Sequence, residues 1–422
     1  METRCIPCQS QHDYGAPSAP NYVENGELSA TATRALDDVL RRVDDAIARG
    51  WRRSGDDSVY VGDPGVAYYL MRRGDVDAAR ELCGPPSSKR AAKAKDCSIM
   101  CGRTGVDLVA ALCAPQEEAF LQRAAAIVAR ADVACSLELL EADEWLYGRV
   151  GFLRALLELR REGRAVPGLD DAIRRVVAAT LASGRCHGGD GLRYAWHGKE
   201  YVGAAHGYAG ILYLLLKAGC RDPALRSMAD WLRGLESEGN WPSSLPDARS
   251  KLVHFCHGAP GVVFAMAEAY RVYGDESFRD ACLRGAETVW HFGLLMKGPG
   301  LCHGVAGNGY ALLAAYRVSR DPRWLHRAVV FGTCIGDDGV CARQRTPDNP
   351  FSLFEGLAGS ACFLRDLRES RLRAGLPLYE VDSVELARRG GLKIVLTKIS
   401  FFFLPGASRG LSGHVPGNRT AR

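Results

Sequence analysis

Cys256-His257-Gly258-Ala259-Pro260-Gly261 and Cys302-His303-Gly304-Val305-Ala306-Gly307 are nearly the same hexapeptide, 46 positions apart. Each holds a glycine, two intervening residues and a second glycine, followed by an apolar run of helical spacing, Val262 to Ala269 and Tyr310 to Tyr316. With an apolar helical run behind it, this Gly-x-x-Gly frame occurs seven times, with first glycines at 62, 102, 148, 207, 258, 304 and 356. The steps between them are 40, 46, 59, 51, 46 and 52 residues. Further helical patterns lie between the frames, such as Ala172 to Leu181 and Ser277 to Trp290, and strand-like alternation is nearly absent. A period of this length that holds two helices is a helical repeat. Open solenoids need polar caps at both ends, whereas a ring needs none. The expected fold is therefore all-α: an α/α toroid of seven inner and seven outer helices, each inner helix opened by one frame. The glycines suit points where backbone must approach backbone. For the frames at 62 and 102, which carry no obvious chemical group, simple tight helix packing is the expected role. All seven loops would gather at one end of the barrel, where helix N-termini favour anions.

Composition narrows the class. The 422 residues are 47% apolar and 24% charged, enough for a large core. The net charge of +5 is spread along the chain, so no nucleic-acid footprint is expected. Fifteen cysteines is an odd number at irregular spacing, and Met1 to Tyr14 lacks an apolar signal core. A disulfide framework is not expected, and most cysteines read as small buried hydrophobes. Glu2 excludes N-myristoylation, and Leu392 to Pro405 is too short to span a bilayer. A cytoplasmic location is expected, with a peripheral position at the membrane left open.

The paired Cys-His dipeptides point to metal. Cys256, Cys302 and His303 are the expected zinc ligands, a three-ligand set that leaves one coordination position for chemistry. His257 could serve as a fourth ligand, but two mirrored Cys-His pairs would crowd two imidazoles at one ion. Cys186-His187-Gly188 is out of rhythm with the frames and reads as a loop rather than a ligand pair. His206 precedes the fourth frame glycine, where His257 and His303 stand in theirs, so it is placed at the same rim as a proton-moving group. A zinc with two thiolate ligands suits delivery of a soft thiolate nucleophile better than formation of hydroxide.

Leu252 to Gly261, Gly298 to Gly304, Tyr201 to Gly207, Leu146 to Arg149 and Arg345 to Gly356 together resemble the LanC-like proteins, eukaryotic relatives of lanthionine synthetase component C. The resemblance runs from about residue 1 to 382. It implies the α/α toroid, zinc on Cys256, Cys302 and His303, and glutathione as co-substrate. It also implies addition of the glutathione thiolate to dehydroalanine- or dehydrobutyrine-type acceptors in proteins or peptides, a glutathione transferase-like activity. The alternative is a non-catalytic glutathione- and zinc-binding adaptor that meets signalling proteins. By position, Arg4, Lys297 and Arg345 are expected to bind glutathione, and His206, His257 and Glu144 to serve the chemistry, with Arg4 on a mobile terminus. Where the bacterial cyclases carry an arginine four residues before the first zinc cysteine, this chain has Leu252, which weakens a claim to peptide cyclisation. The expected organisation is an N-terminal segment 1–30, the toroid 31–382 and a divergent, disordered tail 383–422.

Overall fold

In a computed structural model of the chain, the structure describes residues 4–6, 12–84, 92–114, 116–188, 191–247, 250–370 and 375–381. The tail expected at 383–422 lies outside the described residues. The inner helices are α2 (Asp63–Arg73), α4 (Arg103–Leu112), α7 (Arg149–Arg161), α9 (Tyr208–Lys217), α11 (Ala259–Tyr273), α13 (Val305–Ser319) and α16 (Leu357–Arg365). The outer helices are α1 (Ala30–Gly50), α3 (Val76–Leu82), α5 (Glu117–Val128), α8 (Leu169–Gly188), α10 (Pro223–Gly234), α12 (Glu276–Phe292) and α14 (Pro322–Cys334). Two one-turn helices, α6 (Ala131–Cys135) and α15 (Asp338–Cys341), sit in the connections. Each inner helix packs on the next, and α16 returns to α2, so the ring closes. Among the described residues, the strands form two two-stranded ribbons, β1 (Val23–Glu24) with β2 (Glu27–Leu28) and β3 (Glu200–Tyr201) with β4 (Ser244–Leu245). Among the described residues, no helix is long and apolar enough to cross a membrane.

Inner and outer helices differ because the sequence begins and buries them differently. Four outer helices start on side-chain caps: Ser29 accepts from Ala32 N, and Asp222, Asp275 and Asp321 each accept from the first turn of the helix they precede. Their apolar residues form one stripe, as in Ala32, Leu36, Val39, Leu40, Val43 and Ile47 of α1. Inner helices are buried nearly all round, as in Tyr208 to Leu216 of α9. Each begins on the first glycine of its frame: Gly62, Gly102, Gly148, Gly207, Gly258, Gly304 or Gly356.

The second glycine of every frame has the same neighbour. A Cβ at Gly65, Gly105, Gly151, Gly210, Gly261, Gly307 or Gly359 would overlap the carbonyl oxygen six residues earlier: Val59, Ile99, Trp145, Ala204, Phe255, Leu301 or Leu353, respectively. The loop folds back over the first turn of its own helix, and only hydrogen fits between. The frames at 62 and 102 are no exception. Their glycines answer to their own loops first, which is more specific than the tight helix packing expected for them.

The segment 375–381 lies against the inner helices. Its backbone is held by Trp145 Nε1 on the Leu378 carbonyl (3.1 Å) and by Arg154 on the Tyr379 carbonyl (3.0 Å). The buried Tyr379 ring stacks on Tyr213 and meets Trp145 and Phe255 edge-on, directly behind the loops that carry Glu144 and Cys256.

Candidate metal centre

The residues two places before the first frame glycines form a chain of backbone hydrogen bonds around the rim. Tyr60 N donates to Met100 O (3.2 Å), Leu146 N to Ala205 O (3.3 Å) and Cys256 N to Cys302 O (3.2 Å). Cys302 N donates to Phe354 O (2.9 Å), and Phe354 N to Tyr60 O (3.1 Å). Between frames two and three, Ser98 Oγ donates to Leu146 O (2.7 Å) instead. Between frames four and five, Gly203 abuts the Cys256 carbonyl so closely that a Cβ there would overlap it. Repeat-equivalent residues of adjacent units are thus tied backbone to backbone, which brings Cys256 and Cys302 side by side.

His303 joins them. Ligand atoms of Cys256, Cys302 and His303 all lie within 4.8 Å of one another. Both cysteines are buried, at 7% and 4% exposure. The hydrogen bond from Cys256 holds the Cys302 thiol well below the ordinary thiol range, against burial and with help from His303 and Tyr60. Bonding to Cys302 and burial push Cys256 up. Burial works against the charged form of His303, yet the hydrogen bond and charge of Cys302 raise it above its ordinary value. The cluster is already arranged around shared negative charge on sulfur. Two buried sulfurs and one half-buried imidazole that converge are a donor set that fits zinc, and metal binding would displace the shared protons.

A cavity of about 360 Å³ opens over these residues, lined also by Arg4, Tyr60, Leu146, His206, Leu252, His254, His257 and Lys297. Arg4 is not on a loose end. Ile6 N donates to Leu294 O (2.6 Å) and Met296 N to Arg4 O (3.2 Å), with Cys5 bridged to Leu295, so the segment is laid beside Lys297. Arg345 is exposed and does not line the cavity, although its N–H donates to Met296 O (2.8 Å) next to Lys297.

His206 and Glu144 form a dyad. The buried Glu144 carboxylate accepts from Leu146 N (2.9 Å) and Tyr147 N (2.6 Å) and meets His206 Nδ1 at 3.0 Å. On its face, His206 stacks flat on Trp196, with ring centres 4.4 Å apart at 2°. The Nδ1 edge and one face of the ring are therefore taken, and among the described residues nothing hydrogen-bonds Nε2. His257 is not in the metal cluster. Its ring lies 6.0 Å from His206 and 5.8 Å from Tyr201, and burial, then the His206 charge, lower it to about 4.

Sequence reasoning missed three residues here. His254, lowered to about 3 by burial and then by His303, sits with its ring 6.1 Å from that of His303. Tyr60 enters the cavity from frame one, and Trp196 stacks on His206. Aligning the residues just before each frame glycine would have exposed Tyr60, since the same column holds Cys256 and Cys302. The loop expected at Cys186-His187-Gly188 is instead the last turn of α8. Helical propensity upstream carries the chain through it, and Cys186 is exposed. The side chain of His187 lies outside what is described.

Known proteins place this architecture. The chain is 39% identical over 256 residues to a Danio rerio protein named glutathione S-transferase LANCL1, a match that takes in 57% of this chain and 62% of that protein. Less than two thirds of that relative's length is therefore spanned. Nisin cyclase has a similar structure, with a TM-score of 0.58 at 15% identity, covering 81% of this chain and 95% of the other. The sequence profile of the family described as lanthionine synthetase C-like protein matches residues 53–381. With seven glycine-opened inner helices closed into a ring, the chain belongs to the lanthionine synthetase C-like family.

Proposed function

We propose that this chain adds the thiolate of glutathione to electrophilic acceptors of the dehydroalanine or dehydrobutyrine type, forming a thioether. The observation that carries the reading is the convergence of Cys256, Cys302 and His303 within 4.8 Å beneath a cavity that also holds Lys297, Arg4 and His206. Cys256, Cys302 and His303 would hold zinc, which when bound supplies a position at which a thiol ionises near neutral pH. The similarity to a protein named glutathione S-transferase supports glutathione as that thiol.

The chain's own residues do the rest. Glutathione carries two carboxylates, and Lys297 and Arg4 stand on the cavity wall to receive them. Arg345, tied at its backbone beside Lys297, is the third proposed cation, and its exposed side chain would have to turn inward to reach the cavity. Sulfur bonds to the acceptor's β-carbon as the C=C π bond breaks, and the electron pair moves to the α-carbon and its carbonyl. His206 then delivers a proton from Nε2 to the α-carbon, while Glu144 on Nδ1 stabilises the protonated ring and fixes its orientation. The net change is addition of S–H across the double bond, with no oxidant or reductant. His257, neutral at physiological pH, faces His206 and Tyr201 where an acceptor peptide would lie. The proposed setting is cytoplasmic.

The test is intact-mass analysis of a dehydroalanine peptide incubated with protein, zinc and glutathione. Cys302→Ala is expected to lose zinc and adduct formation together. Full activity of a metal-free Cys302→Ala protein would refute the reading. Zinc and glutathione binding by the wild type without any adduct would favour the adaptor alternative.

A further inference from the structure

Tyr60 enters the site from frame one, one of the two frames that carry no obvious chemical group in the sequence. Three backbone bonds fix its place: its N–H on Met100 O, its carbonyl under Phe354 N, and Phe354 O under Cys302 N. Its ring lies flat on Phe354, with centres 5.3 Å apart at 13°. From there the residue lines the cavity together with Cys302. A phenol keeps its proton at neutral pH, so the hydroxyl is available as a donor.

We propose that Tyr60 is a positioning residue of the metal centre, donating a hydrogen bond to the Cys302 thiolate while that sulfur is a metal ligand. The inference rests on the zinc reading above. A phenol on a thiolate draws negative charge from the sulfur and holds the cysteine's rotamer. Cys302 thereby becomes the weaker electron donor, which makes the site a better activator of an incoming thiol than two unmodified thiolates would. The stacked Phe354 ring and the backbone bonds around the rim set the phenol's reach, so the device depends on closure of the ring between frames one, six and seven.

The experiment uses the full chain loaded with cobalt(II), which reports on sulfur ligands through thiolate-to-metal charge-transfer absorption, together with zinc affinity by chelator competition. Tyr60→Phe keeps the ring and its stack and removes only the hydroxyl. Its charge-transfer band is expected at longer wavelength than in the wild type, with zinc held roughly tenfold more weakly and an unchanged circular dichroism spectrum. Incorporating 3-fluorotyrosine at Tyr60, a stronger donor of the same shape, is expected to move the band to shorter wavelength. A purely structural role would not give shifts of opposite sign. A wild-type protein that shows the band, with Tyr60→Phe matching it in both band position and affinity, overturns the proposal and leaves the metal reading standing. A wild-type protein with no thiolate band overturns both.

Discussion

Gly105→Ala tests the fold argument where it is least protected by chemistry. Frame two carries no proposed metal ligand, so selection for the site cannot account for its glycines. A Cβ at Gly105 overlaps the Ile99 carbonyl oxygen and presses on Val59. Neither can rotate away, because the first is backbone and the second is itself fully buried. The next residue, Met100, accepts from Val59 N (2.8 Å) and Tyr60 N (3.2 Å), so a shift of the loop also strains frame one. Overpacking in a core costs about 1–3 kcal/mol, and with backbone as the obstacle the upper end, about 3 kcal/mol, is expected. Gly234 is the control. It ends α10 with open space around it, and there alanine should stabilise by about 0.5 kcal/mol through its helix propensity. The measurement is urea unfolding followed by far-ultraviolet circular dichroism and tryptophan fluorescence, with coincident transitions required before free energies are compared. A cost below about 1 kcal/mol for Gly105→Ala would mean that the frame merely permits close helices, and that the shared loop-over-helix geometry is not what the repeat encodes.

Other expectations follow from single contacts. Glu144→Gln keeps a backbone acceptor but removes the charge behind His206, so adduct formation should slow on the order of 10²-fold with glutathione affinity unchanged; single-turnover rates at saturating glutathione decide it. Glu268→Gln should cost about 3 kcal/mol because Lys217, at 6% side-chain exposure, stays buried without its 2.9 Å carboxylate partner. Adding Lys217→Met should restore most of that loss, which a double-mutant unfolding cycle can verify. Burial holds the His326 imidazole below its ordinary 6.5, so it is neutral in the fold and bonds the His12 carbonyl at 2.8 Å. The unfolded chain takes up that proton first, so the contribution is full above 6.5 and is lost as pH falls toward the folded value. In His326→Gln, the drop in unfolding free energy between about pH 7.5 and about pH 5.5 should shrink; an identical drop in both proteins would show that His326 is not linked to folding.

The ring and its period were legible because seven copies of one steric problem leave seven copies of one solution, glycine six residues after a carbonyl. Cys256, Cys302 and His303 were legible because their dipeptides repeat. What could not be read was which side chains turn toward one another across units, since that depends on how neighbouring loops are joined. Tyr60 and Cys302 are far apart in sequence and linked only through Phe354. The flat stack of Trp196 on His206 likewise depends on the turn in which Trp196 and Lys199 exchange backbone bonds. Arg4 looked mobile because a terminus has no visible partner in sequence, yet its backbone pairs with Met296.

The rim chain of backbone bonds also explains why two identical Cys-His dipeptides are used unequally. Residues two places before the frame glycines are locked to each other, so the two cysteines, on adjacent units, must be neighbours whatever else the site does. The residues one place before are not locked in this way. His303 hydrogen-bonds Cys302 and joins the cluster, whereas His257, held by its N–H on His254 O (3.2 Å) and its carbonyl under His254 N (2.9 Å), lies toward His206 and Tyr201. Gly258, which follows His257, adopts φ 99°, while Gly304 after His303 stays extended at φ −134°. A positive φ of that size is open to glycine and strained for other residues. The same Cys-His-Gly string therefore enters its helix by two different backbone paths, and that difference separates a histidine that joins the cysteine pair from one that lies toward His206 and Tyr201.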